Sequence, residues 1–303
     1  MARDMFSRYV WIVDTISRYG RLSRERLNRL WLRSNLSDGR PIPERTFFHY
    51  RRAIEDCFHV DIVCDANGEY YVRQPEGKRD KALSNWLLDS YAVRTAMTGH
   101  EAAARVMVDE VPSAREFLPM ALEAASNSEK IRFAYAGFNR SRTERDITFH
   151  PYFMRLYKQR WYMVGLKEGD SPDSPSRGIR TYALDRVKEM TLTGEKFELP
   201  ADATPEAYFA DILGVTSSHA AVRKVRIKSN PTTAKYLRAL PLHASQEEVT
   251  HQDYSIFTYR LKLNYELVHE LLGLGADVEV IEPPELRAML IDEVKKLSKL
   301  YGT

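Results

Sequence analysis

The chain has 303 residues, 44% hydrophobic and 29% charged, the profile of a globular protein large enough for two or three domains. No apolar run approaches the roughly 18 residues of a bilayer-spanning helix, so no membrane partner is expected. The formal net charge of +3 is unevenly spread, with basic islands over residues 1–52 and 129–167 set apart by acidic stretches; islands of this kind suit polyanions, because clustered Lys and Arg hold phosphates.

The N-terminus carries an acid at Asp4 and runs into an amphipathic rather than an apolar segment, which argues against a signal peptide and for a cytoplasmic protein. Over residues 4–19 the apolar positions Met5, Tyr9, Ile12, Val13 and Ile16 recur at spacings of three and four, so a helix is expected there, stopped by Gly20. A second helix follows, capped by Ser23, with Glu25 at its positive end and Leu27, Leu30 and Trp31 inward. Turn residues over 34–43 lead to a third helix over about 44–57. Phe47, Ile54 and Phe58 share its inner side, while Arg45, His49 and Arg52 line another, with Thr46 beside them. Asp65-Ala66-Asn67-Gly68 between two β-rich runs predicts a hairpin. Cys57 and Cys64 form neither a disulfide framework nor a zinc pattern and are expected to be reduced packing residues.

Three short helices followed by a hairpin is the layout of a winged helix-turn-helix over residues 1–75, in which the third helix enters the major groove of double-stranded DNA. Residues 1–52 carry Arg and no Lys, and Arg suits phosphates and guanine edges. Arg45, Thr46, His49 and Arg52 are the candidates for base or groove contact, and Arg51 and Arg73 for phosphate contact.

Residues 80–126 are helical in pattern, and residues 76–112 form a linker; a break at Pro112-Ser113 starts a helix expected to cover the domain that follows. From Lys130 the period switches to two. Five strands are expected, around Ile131 to Tyr135, Ile147 to Phe153, Trp161 to Leu166, Thr181 to Leu184 and Val187 to Leu192, forming a small barrel over 113–200.

His150-Pro151-Tyr152, Arg160-Trp161-Tyr162-Met163-Val164-Gly165 and Tyr182-Ala183-Leu184-Asp185-Arg186-Val187 resemble, in order and spacing, the three signature blocks of the WYL domain, with Met163 as a near volume-conserving swap for Leu. The rest of the chain is similar to WYL regulators, and residues 209–215 resemble their junction. The resemblance implies a Sm-like or SH3-like barrel that binds a nucleotide or a single-stranded nucleic-acid effector and relays its presence to a DNA-binding domain. It places Tyr152, Arg160, Tyr162 and Arg186 in the ligand pocket, with His150 as a hydrogen-bonding partner. Strand alternation points Trp161 the other way, into the core. Asp185 either orients Arg186 or meets the ligand.

Over 201–303 a strand, helix, hairpin, helix, strand and final helix from Pro284 predict a ferredoxin-like α/β sandwich, so the fold class is multidomain α+β. Leu286, Met289, Leu290, Val294 and Leu297 on the final helix suit core packing or dimer contacts, core being the better account of most. A homodimer is expected because helix-turn-helix readers usually bind two half-sites. The combined expectation is a ligand-responsive transcription regulator, a repressor, with no cofactor; the alternative is a nucleic-acid-sensing accessory module that occupies no operator. An enzyme is disfavoured, since no zinc set, glycine-rich phosphate loop or carboxylate pair beside the basic pocket is present in the sequence.

Overall fold

The computed structural model describes residues 2–34, 36–58, 60–73, 107, 116–138, 142–170, 179–216 and 220–302, and the expected linker helices before residue 116 lie outside them. The fold is mixed α and β, in two compact units, Met1–Asp109 and Glu110–Thr303. No helix among the described residues is long and apolar enough to cross a membrane.

The first unit opens with α1 (Ala2–Tyr19), whose Ile12, Val13 and Ile16 are fully buried. Gly20 ends it at φ 77°, a left-handed conformation that glycine adopts without steric cost. Strand β1 (Leu22–Ser23) leads into α2 (Arg24–Trp31), and the Arg26 amide donates to the Ser23 side chain, capping the helix. Helix α3 (Glu44–Phe58) buries Phe47, Tyr50, Ile54 and Phe58 against α1 and α2 in one core with Leu27 and Trp31. The hairpin of β2 (Asp61–Cys64) and β3 (Glu69–Arg73) forms as the turn residues predict. Asp65 accepts from the Asn67 and Glu69 amides, and the Glu69 bond above all holds its carboxyl below the usual range. Strand β1 adds a third member through Leu22 opposite Tyr70. One expectation fails here: Cys57 and Cys64 are exposed free thiols rather than packing residues, because both fall on the solvent side of their elements.

Among the described residues the first element of the second unit is α4 (Leu118–Ser126), followed by β4 (Glu129–Tyr135), β5 (Glu144–Tyr157), β6 (Arg160–Lys167), β7 (Ile179–Ala183) and β8 (Val187–Lys196). These form an antiparallel sheet in the order β7-β6-β5-β4-β8. Ala121 and Ala124 of α4 pack on Ile131, Phe149, Met163 and Leu184. A 3-10 turn, Leu184–Arg186, carries the chain from β7 to β8. Val187 then pairs at once with Tyr135 on β4, and β7 and β8 share no ladder among the described residues. The sheet is therefore open, not the closed barrel expected.

Beyond α5 (Pro205–Phe209) the chain runs β9 (Arg223–Ser229), α6 (Pro231–Ala239), β10 (Glu247–Thr250), β11 (Ser255–Leu261), α7 (Tyr265–Gly273), β12 (Val278–Glu282) and α8 (Pro284–Tyr301). The sheet order is β10-β11-β9-β12, with α6 and α7 packed on Val225, Ile227, Phe257 and Tyr259. Helix α8 departs from the core expectation: Leu286 is buried and Leu290 half-buried, whereas Met289, Val294 and Leu297 are exposed.

Between the two sheets the junction is pinned by α7. Glu266 accepts from the amides of Val215 and Thr216, and Asn264 donates to Leu213 O and Thr216 O. Gly214 sits at φ 84°, and a Cβ there would meet Glu266 Cγ at 2.6 Å, so this close approach requires glycine.

Candidate nucleic-acid and effector interfaces

On α3 the inward set Phe47, Tyr50, Ile54 and Phe58 leaves Arg45, His49 and Arg52 exposed, with Thr46 half-buried beside them. None of the three exposed residues has an acidic partner among the described residues. Two contacts tie α2 to the loop that leads into α3. The Asn28 carboxamide grips the backbone of Ile42, accepting its N–H at 2.8 Å and donating to its C=O at 3.3 Å, and Trp31 Nε1 donates to Arg40 O at 2.9 Å. Arg51 is half-buried with its guanidinium 5.5 Å from the Phe48 ring, and Arg73 stands 4.0 Å from Asp61, an exposed pair that contributes little. Sequence reasoning missed Arg29, Arg33 and Arg40, which are exposed without acidic partners among the described residues. Their signal was the phase of α2: with Leu27 and Trp31 inward, position 29 faces solvent.

In the five-stranded sheet, cross-strand register assembles the face opposite the core. Tyr157 lies opposite Arg160, Arg155 opposite Tyr162, and Phe153 opposite Val164, which faces Thr181 on β7. Trp161 takes the other face and packs against the core with Met154, as alternation predicts. A bulge between Pro151 and Phe153 shifts the alternation of β5 by one residue, which sequence periodicity did not reveal. Gly165 makes the crossing possible, because a Cβ there would stand 1.9 Å from His150 O.

The five sequence-derived ligand residues do not converge on one spot. His150 and Tyr152 line a groove of about 1180 Å³ with Phe153, Arg180, Thr204 and Tyr208, while Arg160, Tyr162 and Arg186 stand outside it. His150 stacks on Phe197 at 5.1 Å with the rings 14° apart. Burial, and then the Lys130 charge, push its pKa below the ordinary histidine value. Arg160 donates to Asp185 at 2.8 Å, so Asp185 orients Arg160, a partner that neither of the two sequence readings named. Arg186 lies 3.8 Å over the Phe138 ring. The groove also carries acids: Glu168 pairs with Lys130 at 2.9 Å, and Asp170 with Arg180 at 2.7 Å. Sequence reasoning missed Arg155, which reaches the Phe209 ring at 3.9 Å because the bulge reverses its phase. His150 Nε2, Asp185 Oδ1 and Arg186 Nε, all from the motif blocks, are buried without a hydrogen-bond partner. Buried polar atoms left without a partner cost free energy, and a ligand or water is one way to satisfy them.

Residues 116–192 match the WYL domain and residues 221–298 the WCX domain, so both domains are present in the chain. Among solved structures, the chain is similar to proteasome accessory factor B/C (PafBC) of Arthrobacter aurescens, at 20% identity and a TM-score of 0.37, covering 98% of this chain and 47% of that one. The chain thus spans about half the length of that relative. It is also similar to the crystal structure of a CRISPR Cas-related protein, at 10% identity and a TM-score of 0.38, covering 86% of this chain and 74% of that one. No curated protein sequence matches the chain.

Proposed function

We propose that this protein is a DNA-binding transcriptional regulator, a repressor without catalytic activity, whose WYL domain binds a nucleotide or single-stranded nucleic-acid effector that changes operator affinity. The N-terminal unit is read as a winged helix-turn-helix, the five-stranded sheet as a Sm-like or SH3-like barrel parted at one seam, and the C-terminal sandwich as ferredoxin-like. The observation that carries the reading is the exposed Arg45, His49 and Arg52 row on α3, none of them ion-paired to an acid among the described residues, on a helix whose preceding loop is tied to α2 by Asn28. Such a row enters a major groove with its N-terminal residues on base edges while neighbouring arginines hold phosphates.

The effector half of the proposal rests on the WYL domain and on the orphaned polar atoms of its motif residues. Arg160 and Arg186 supply donors for a phosphate beside the half-buried Tyr162, and in the separate groove the half-buried Tyr152 and His150 supply rings for a base. A cytoplasmic homodimer reading two half-sites completes the picture. The test is a titration of nucleotides and short single-stranded oligonucleotides into a complex of the protein with labelled duplex from its own upstream region. Release that is lost in Arg160→Ala, with duplex affinity unchanged, supports the reading. Loss of all nucleic-acid binding in Arg160→Ala would instead make the protein an accessory sensor.

A further inference from the structure

One face of the WCX-domain sheet packs on the helices, and the other carries exposed Lys224, Lys228 and Arg260 with half-buried Arg226, Ile256 and Thr258 among the described residues. On β9 Val225, Ile227 and Ser229 are buried against the helices, so Lys224, Arg226 and Lys228 point the other way; on β11 Phe257, Tyr259 and Leu261 are buried, so Ile256, Thr258 and Arg260 do likewise. Register sets Lys224 directly opposite Arg260, Arg226 opposite Thr258, and Lys228 opposite Ile256. Like charges directly opposite each other on a sheet are destabilising. Neither Lys224 nor Arg260 has an acidic partner among the described residues. The acids on this face are engaged or peripheral: Glu282 pairs with Arg226 at 3.2 Å, Glu279, which stands opposite Lys228 on the edge strand β12, pairs with Arg287 at 2.9 Å, and Glu247 lies on the other edge strand, β10. At the other end of the same surface Lys228 reaches the Tyr254 ring at 4.6 Å, and His251 stacks on Tyr254 at 4.4 Å.

From this arrangement we infer a second nucleic-acid surface, in which a single-stranded sugar–phosphate chain runs along β9 over Lys224 and Lys228, with Arg260 beside it and the His251–Tyr254 stack offering a ring face to a base. Outward side chains on one strand repeat at about 7 Å, a spacing a stretched single strand can follow with successive phosphates. Cations along a backbone track combined with an aromatic platform is the pairing that single-strand binders use; a duplex, with its bases already stacked, has no use for the platform. An anion between Lys224 and Arg260 relieves the repulsion that the sheet otherwise bears. Binding is backbone-driven, tolerant of sequence and steeply salt-dependent. The inference is independent of the proposed operator and effector sites.

The experiment uses the full chain carrying Arg45→Ala, Arg52→Ala and Arg160→Ala, so that failure of the other two proposed surfaces leaves it readable. Fluorescein-labelled oligothymidine is titrated by anisotropy over a range of salt concentrations. Binding is expected to persist in this background, and adding Lys224→Glu with Arg260→Glu is expected to weaken it at least tenfold and to flatten the log–log salt slope by about 1.4, two contacts at about 0.7 each. Lys224→Glu alone places an acid opposite Arg260 and is expected to leave the melting temperature unchanged or raised, which separates lost binding from lost folding. No binding in the starting background, or an affinity and slope indifferent to the double reversal, would overturn the inference. So would equal, equally sensitive binding of polyglutamate, which would assign the face to an acidic polypeptide.

Discussion

Arg160 and Asp185, twenty-five positions apart in the chain, meet at 2.8 Å between the start of β6 and the 3-10 turn after β7, with the carboxylate side chain 6% exposed and the guanidinium 30%. Hydrogen bonds to charged groups contribute about 1.5–3 kcal/mol, and removing one partner of a buried pair strands the other. Asp185→Asn is therefore expected to destabilise the protein by about that amount. In urea unfolding, Arg160→Ala combined with Asp185→Asn should cost clearly less than the two single effects added together. Strict additivity would show the pair to be energetically idle.

Gly165 is the second packing requirement inside the motif. Its absent Cβ leaves room for the backbone of His150, which a side chain would meet at 1.9 Å, and backbone cannot swing aside as a flexible side chain can. Gly165→Ala is expected to cost roughly 3 kcal/mol or more, at the top of the range for overpacking. A circular-dichroism melt within a degree or two of the parent protein would contradict this contact.

Two histidines set a pH dependence. His150 and His243 both have pKa values lowered from 6.5, in each case chiefly by burial. A histidine whose folded pKa is depressed takes up its proton more readily unfolded. Stability is then fully present above the unfolded value near 6.5 and is lost as pH falls through the folded values. The melting temperature is expected to decline from pH 7 toward pH 5, and His150→Gln should remove part of that decline. A flat profile over this window would argue against buried neutral imidazoles.

Asn28 carries a prediction for the first unit. Its carboxamide satisfies both backbone groups of Ile42, a buried residue, so Asn28→Ala leaves a donor and an acceptor without partners. The expected cost is about 1–3 kcal/mol, with weaker duplex binding because α3 loses its anchored start. Unchanged stability in guanidinium unfolding would mean that water replaces both bonds without loss.

Much of this fold is legible from periodicity and punctuation. The three-four spacing of Ile12, Val13 and Ile16, the Ser23 cap, the Asn67-Gly68 turn and the strand from Val278 all appear within a few residues of where the sequence puts them. Strand β1 was hidden because two residues carry no period. The bulge at Pro151 was hidden because one inserted residue leaves composition unchanged while reversing every side chain after it, which is why Arg155 went unseen. The Asp185 bond to Arg160 was not foreseen because a partner twenty-five positions away in sequence carries no local signal. For the exposed half of α8, core was preferred over dimer contacts because an apolar stripe looks the same whether or not its own chain covers it.

The central claim is that α3 reads duplex DNA. Anisotropy of the protein with duplex from its own upstream region and with a random duplex, each across a range of salt concentrations, tests it most directly when repeated with Arg45→Ala plus Arg52→Ala. Arginine contacts to base edges are worth about 1–3 kcal/mol each, so the double variant is expected to lose roughly a hundredfold or more on the upstream duplex and much less on the random one. Equal affinity of the parent protein for both duplexes, with an equal loss on each in the variant, would contradict the claim and reduce α3 to a surface of generic phosphate contact.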